Sequence, residues 1–335
     1  MLRESVSSSE NDDEERATTG GTTTRTATAS SPSSRLAALS VSDIEPWLPR
    51  FDTLIVGPGL GSDPAVEEAA VLLLRKARAL GISLLVDADG LKLVARQPGL
   101  VRGYARAVLT PNAVEFERMA RSLGLAEEES GREGSEGAPP LRFGAAALAG
   151  PSSPSSPSSP DSPLDAVAAL ALSLEGPVVV RKGAGDCMAV SVPSGAAAAA
   201  AAAAAGTTSA GAGATPSPSV VVFSACCSRS GSPRRAGGQG DLTSGSVAAF
   251  LAWACSRRLA GGGEGEEEKK EEASGKGAAP LSPPAALAAA FGGCSLVRGA
   301  AAAAFSRRRR AALASDVLDA IEGAEGAAAP RGFDV

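Results

Sequence analysis

The run Gly231-Ser232-Pro233-Arg234-Arg235-Ala236-Gly237-Gly238-Gln239-Gly240-Asp241, leading into an amphipathic stretch from Leu242 to Leu259, carries the clearest chemistry in this chain. Its four glycines let backbone N–H groups approach an anion closely. The N-terminus of the following helix adds unpaired donors and a favourable partial charge. Arg234 and Arg235 stand close enough in sequence to pair with the oxygens of that anion. Asp241 would repel a phosphate, so a base that takes the proton of an attacking hydroxyl suits it better. The implied reaction is phosphoryl transfer to an alcohol. A helix N-cap is the simpler account of Asp241 alone, but a cap does not require the glycine-rich, doubly basic run before it.

Other residues could join this site. Lys182 ends an apolar run and precedes Gly183-Ala184-Gly185-Asp186; it can neutralise a phosphate, although a lysine at a strand end is also an ordinary surface residue. Asn112 and Glu115 are three apart at an expected helix start, a spacing that serves a capping box and a ligand-binding pair equally well. Asp87 and Asp89 are a metal pair or a cap for a short helix from Leu91, and as an isolated pair they favour the cap. Gly57-x-Gly59-x-Gly61 lacks the spacing of a dinucleotide fingerprint, has Pro58 stiffening the turn, and is expected to permit close approach to another ligand.

Positioning these residues requires alternating strands and helices. Phe51 to Val56, Ile82 to Val86 and Ala107 to Thr110 read as buried strands, each followed by glycine, aspartate or asparagine. A helix capped by Ser62 or Asp63 follows the first, and another from about Val114 to Leu123 follows the third. Leu164 to Leu174 reads as a helix. Val178 to Arg181 and Met188 to Val192 read as a hairpin, and Val220 to Phe223 as the strand that returns to the glycine loop. Ala285 to Ala304 and Ala311 to Ile321 read as closing helices. The pattern predicts a three-layer α/β domain with a mainly parallel sheet, whose ligands bind at the carboxyl ends of the strands.

Composition sets the limits. The chain has no histidine, which excludes Ser-His-Asp and Cys-His catalysis and leaves acid–base work to Asp, Glu, Lys or Tyr. Five cysteines show no metal-ligand spacing and are too few for a disulfide scaffold in 335 residues, so a reducing compartment is expected. A net charge of -5 argues against a general nucleic-acid binder, with Arg307 to Arg310 read as a solvated helix-end patch. No apolar stretch reads as a membrane span, and a soluble, cytoplasmic protein is expected, with an organelle left open. Residues 1–40 have the composition of a disordered tail, 41–325 of one domain, and 326–335 of a second tail. Low-complexity insertions are expected at 126–163, 195–219 and 261–284.

Five blocks in order resemble the ATP- or ADP-dependent NAD(P)H-hydrate dehydratases of the ribokinase-like superfamily. They are Val56-Gly57-Pro58-Gly59-Leu60-Gly61, Val86-Asp87-Ala88-Asp89-Gly90-Leu91, Leu109 to Phe116, Val180-Arg181-Lys182-Gly183, and Gly231 to Ser246. The arginine-bearing Gly-Gly-Gln-Gly-Asp form is similar to the ATP-using branch. The resemblance implies that ATP with Mg²⁺ phosphorylates the 6-hydroxyl of hydrated NADH or NADPH, and that loss of phosphate restores the dihydropyridine. NAD(P)H is then a product and not a redox cofactor.

The resemblance also distributes roles. Asp241 becomes the catalytic base. Lys182, Gly183, Ala184, Gly185 and Asp186, with Ser230, Gly231, Ser232, Pro233, Arg234, Arg235, Ala236, Gly237, Gly238, Gln239 and Gly240, become the ATP-binding set. Gly61, Asn112, Ala113, Val114, Glu115, Phe116, Glu117, Arg118 and Asp241 become the substrate-binding set, with no protein metal ligand assigned. The family has further strands, helices and a Gly-Gly-Ser phosphate contact before the strand that corresponds to Phe51 to Val56. The fold is therefore expected to be N-terminally incomplete, without one sheet edge. A small-molecule kinase of the same fold and a non-catalytic nucleotide-binding paralogue are the alternative readings, and homo-oligomerisation is left open.

Overall fold

Short apolar runs rich in valine, leucine and isoleucine become strands, and the computed structural model, which describes residues 32–126, 162–193, 220–255 and 281–322, joins them into one sheet. The strands are β1 (Thr53–Val56), β2 (Ser83–Val86), β3 (Ala107–Leu109), β4 (Val178–Arg181), β5 (Asp186–Pro193) and β6 (Val220–Cys227), in spatial order β1-β2-β3-β4-β5-β6. β1 to β4 run parallel, while β5 and β6 pair antiparallel. The sheet is thus mixed. The expected hairpin at Lys182 to Asp186 is present, and β6 extends four residues past the expected Phe223.

Helices α1 (Pro32–Ile44), α2 (Pro64–Ala79), α3 (Asp89–Arg96), α4 (Ala113–Ser122), α5 (Pro163–Leu174), α6 (Gln239–Cys255), α7 (Pro283–Arg308) and α8 (Ala314–Glu322) surround the sheet. Alternating strand residues serve two cores. Leu84, Val86, Ala107, Leu109, Val179 and Ala189 pack with α2 to α5. Leu85, Val108, Val178, Val180, Met188 and Val190 face α6 and α7. This two-sided burial makes the three-layer α/β arrangement, because a strand apolar on both faces needs cover on both.

Two glycines set the closest approaches. A Cβ on Gly57 would lie 1.7 Å from the Asp87 carbonyl oxygen, so the end of β1 can meet the turn after β2 only without a side chain. The close approach expected of that glycine turn is thus to the chain itself. A Cβ on Gly293 would lie 2.6 Å from the Val247 backbone nitrogen, which brings α7 tightly onto α6.

Several expectations change. Residues 32–40 form most of α1 and do not belong to a disordered tail: Ala37 and Val41 are buried, and Ser34 Oγ donates to Glu68 Oε2 at 3.0 Å. Their Ser-rich composition hid an apolar stripe of helical period. α7 starts at Pro283, inside the expected 261–284 insertion, with Ser282 accepting from the Ala285 amide. By length and composition α7 could cross a membrane, contrary to expectation, yet half of its apolar window is buried within the fold. The rest of the expected insertions, residues 1–31 and the 326–335 tail lie outside the described residues. Among the described residues β1 forms an edge of the sheet, with Ile55 exposed.

Candidate active site

The carboxyl ends of β2, β3 and β4 converge on the start of α6 through a buried polar cluster. Asp87 follows β2 and Lys182 follows β4, and Lys182 Nζ lies 2.6 Å from Asp87 Oδ1, with side-chain exposures of 6% and 3%. Ser244, in the second turn of α6, donates to Asp87 Oδ2 at 2.5 Å. The Lys182 amide donates to the Pro111 carbonyl at 2.8 Å, which ties the end of β4 to the residue before Asn112. Three strand ends and one helix start are therefore joined. Asp241 stands three residues before Ser244 in the same helix and is exposed.

The helix begins at Gln239, earlier than expected, so Gly240 and Asp241 belong to its first turn and only Gly237 and Gly238 remain in the turn before it. Gly238 has φ +83, a left-handed conformation that suits glycine. The amide of Gln239 donates to Ala236 and that of Leu242 to Gly238. The amides of Gly240 and Asp241 make no backbone hydrogen bond among the described residues, leaving the donors a helix N-terminus offers to an anion.

The Lys182 to Asp186 turn is held from α7. Arg298 Nη1 donates to the Gly183 carbonyl and to Asp186 Oδ2, each at 3.2 Å, and Arg298 Nε to the Arg229 carbonyl at 2.7 Å. Its Nη2 also donates to the Ala184 carbonyl. Asp186 in turn accepts from the Gly183 amide at 3.0 Å. Arg298 was missed in the sequence because it lies in an alanine-rich helix far from any glycine motif. Its one signal is a lone cation amid small apolar residues. Ser244 and Asp87 were missed as partners because they are 157 residues apart.

Several assigned residues have other work. Lys182 is buried against Asp87, so the ammonium expected to meet a phosphate ends on a carboxylate. Asp87 is not a cap: Ala88 precedes α3 without a side-chain cap, and Asp89 instead accepts from the Gly61 amide at 3.0 Å and from Lys92 at 2.6 Å. Those two bonds, the lysine's first, hold the Asp89 carboxyl below the usual range. Asn112 and Glu115 form the capping box, Asn112 Oδ1 accepting from the Glu115 amide and Glu115 Oε2 from the Asn112 amide. Phe116, expected to contact substrate, is 1% exposed and belongs to the core. Glu117 pairs with Arg121, while Ala113, Val114 and Arg118 are exposed.

The loop after β6 divides similarly. Arg234 donates to the Arg310 carbonyl, in the short turn that follows α7, beside a cavity of about 370 Å³ lined by Pro233, Phe305 and Arg310. Ser232 Oγ donates to the Arg234 carbonyl and Gln239 Oε1 accepts from the Ala236 amide, bonds that shape the loop from within. Ser230, Pro233, Arg235 and Gly237 are exposed, and Gly231 packs beside Arg298. A cavity of about 420 Å³ lies elsewhere, between α1, β1 and α2. Its walls, including Leu36, Ile44, Leu54 and Val66, are apolar and carry no acid or base.

Comparison with known proteins finds relatives of one kind. Residues 20–138 match the family model described as NAD(P)H-hydrate dehydratase. The chain is 34% identical over 216 residues to the ATP-dependent (S)-NAD(P)H-hydrate dehydratase of Bos taurus, a match covering 64% of this chain and 47% of that protein. It is 31% identical over 226 residues to the Neurospora crassa protein of the same name, covering 68% and 48%. For the Homo sapiens protein of that name the values are 33% over 215 residues, 64% and 45%. The chain thus spans about half the length of the curated relatives it matches.

Proposed function

We propose, from the kinship of this ribokinase-like α/β chain with the NAD(P)H-hydrate dehydratases, that it repairs hydrated NADH and NADPH at the expense of ATP. One observation carries this reading. The helix start bearing Asp241 is tied through Ser244, Asp87 and Lys182 to the carboxyl ends of parallel strands, where α/β sheets hold their ligands.

In this mechanism Asp241 takes the proton of the 6-hydroxyl as that oxygen attacks the terminal phosphorus of ATP, whose bond to the β-phosphate oxygen breaks to release ADP. The free amides of Gly240 and Asp241, with the helix dipole behind them, stabilise charge on the transferring phosphoryl group. The phosphorylated intermediate then expels phosphate, pushed by the ring nitrogen lone pair, and loss of a proton from the adjacent ring carbon C5 restores the dihydropyridine. The Lys182 to Asp186 turn and the Ser230 to Gly240 loop border the nucleotide, and Arg298 keeps the former in shape. Gly61 and the exposed residues of the Asn112 to Arg118 segment border the hydrated substrate.

Mg²⁺ enters this reading on the phosphates of ATP. Among the described residues no three His, Cys, Asp or Glu side chains cluster to cage a metal, and magnesium commonly rides on substrate phosphates with few protein ligands. The reading includes a cytoplasmic location, supported by five free cysteines.

The test is purified chain added to hydrated NADH with and without ATP, followed by absorbance of the reduced nicotinamide. ATP-dependent recovery is expected. Equal recovery without a nucleoside triphosphate would sink the proposal, and a stable phosphorylated product with no elimination would identify a small-molecule kinase instead.

A further inference from the structure

Cys187 on β5 and Cys226 on β6 are directly paired in antiparallel register, so their side chains leave the sheet on the same face. Directly opposed residues of antiparallel strands have Cα atoms about 4.5–5.5 Å apart, inside the roughly 4.4–6.8 Å that a disulfide spans. The two sulfurs lie 2.6 Å apart. Cys226 is exposed and Cys187 half-buried, whereas Cys227, Cys255 and Cys294 are buried. The neighbouring Cys227 packs into the core on the opposite face of the sheet. Among the described cysteines, reagent in solution therefore meets this pair first.

We propose that Cys187 and Cys226 are an oxidisable dithiol that reacts with a small disulfide oxidant of the glutathione class and closes into a cross-strand disulfide. The Cys226 thiolate attacks one sulfur of glutathione disulfide, forming a mixed disulfide and releasing one glutathione thiolate. The Cys187 thiolate then attacks the Cys226 sulfur, forming the cross-strand bond and releasing the second glutathione. Two thiols are oxidised, one disulfide is reduced, and the two protons pass to the glutathione thiolates. Burial first, and then the neighbouring Cys226 sulfur, push the Cys187 thiol up to about 12, which makes Cys226 the first nucleophile and Cys187 the resolving thiol.

The location gives the bond a consequence. Cys187 adjoins Asp186, which Arg298 holds, and Asp186 itself pairs with Cys227 at the end of the β5–β6 ladder. A disulfide here staples β6 to the strand that leaves the Lys182 to Asp186 turn. The proposal stands independently of the repair reaction.

The experiment equilibrates the full chain with glutathione disulfide, alkylates remaining thiols, digests, and maps masses. The expected product is a Cys187–Cys226 linked peptide two hydrogens lighter than the reduced pair, reversed by dithiothreitol, retained in Cys227→Ser and lost in Cys226→Ser. A stable glutathione adduct on Cys226 with Cys187 still alkylated overturns the proposal. So does a link that survives Cys226→Ser but disappears in Cys227→Ser, or the absence of any reaction in the folded chain.

Discussion

Lys182 Nζ and Asp87 Oδ1 meet 2.6 Å apart in the interior, and Ser244 occupies the second carboxylate oxygen, so one buried charge pair joins β2, β4 and α6. Removing one partner strands a buried charge. Lys182→Met is expected to cost about 3–5 kcal/mol of stability, read as a lower urea midpoint. Replacing both, with Lys182→Met and Asp87→Leu, is expected to recover most of that loss. A single variant as stable as the parent would show that the pair does not hold these elements together.

Asp241→Asn removes the base but keeps the side chain's size in the first turn of α6. The variant is expected to keep its urea midpoint and its calorimetric affinity for ATP. ATP-dependent recovery of reduced nicotinamide should fall on the order of 10²- to 10⁴-fold. Undiminished turnover would rule out Asp241 as the base.

Arg298 reaches three carbonyls and the Asp186 carboxylate at once, a geometry that a planar guanidinium permits and an ammonium does not. Arg298→Lys is therefore expected to lose about 3 kcal/mol, nearly as much as Arg298→Ala, because Asp186 stays buried without its full partner. Hydrogen exchange at the Gly183 amide, which donates to Asp186, should rise in both variants. Full rescue by lysine would contradict the shape argument.

Two glycines inside helices predict opposite signs. A Cβ on Gly293 would meet the Val247 backbone at 2.6 Å, so Gly293→Ala must push the helices apart at a cost of about 1–3 kcal/mol. A Cβ on Gly245 meets nothing within 4 Å, and that residue lies inside α6. Gly245→Ala is expected to gain about 0.5–1 kcal/mol through helix propensity. Thermal melts of both variants check the pair.

Asp89 predicts a pH dependence. Its carboxyl is held below the unfolded value, first by Lys92 and then by the Gly61 amide. Its contribution to stability is complete above the unfolded value of about 3.9 and is lost as pH falls through the lower native value. Below about pH 4 the urea midpoint of the parent should fall more steeply than that of Asp89→Asn. Parallel acid limbs would count against the Gly61–Asp89 tie.

Much of this protein was legible in the residues themselves. β-branched runs marked β1 to β6, and Asp63, Gly81, Asn112 and Gly124 marked helix ends within a residue or two. These are local effects, set by dihedral preference, capping and apolar period. The convergence of Lys182, Asn112 and the α6 start was also expected, because strand ends in a parallel sheet share one edge. α1 escaped notice because serine-rich composition masked its stripe, whereas α7, expected over Ala285 to Ala304, runs from Pro283 to Arg308.

What tertiary structure alone decided is which polar groups meet. Whether Lys182 faces a phosphate or Asp87, whether Asp87 caps α3 or accepts from Ser244, and where Arg298 ends depend on contacts between residues 95 to 157 apart in sequence. A buried charge takes the nearest partner that packing offers, and packing belongs to the assembled layers. Residue types and spacing therefore determined the elements and the chemistry available, while the closing of the sheet between its two helical layers determined which of those groups remain free to act.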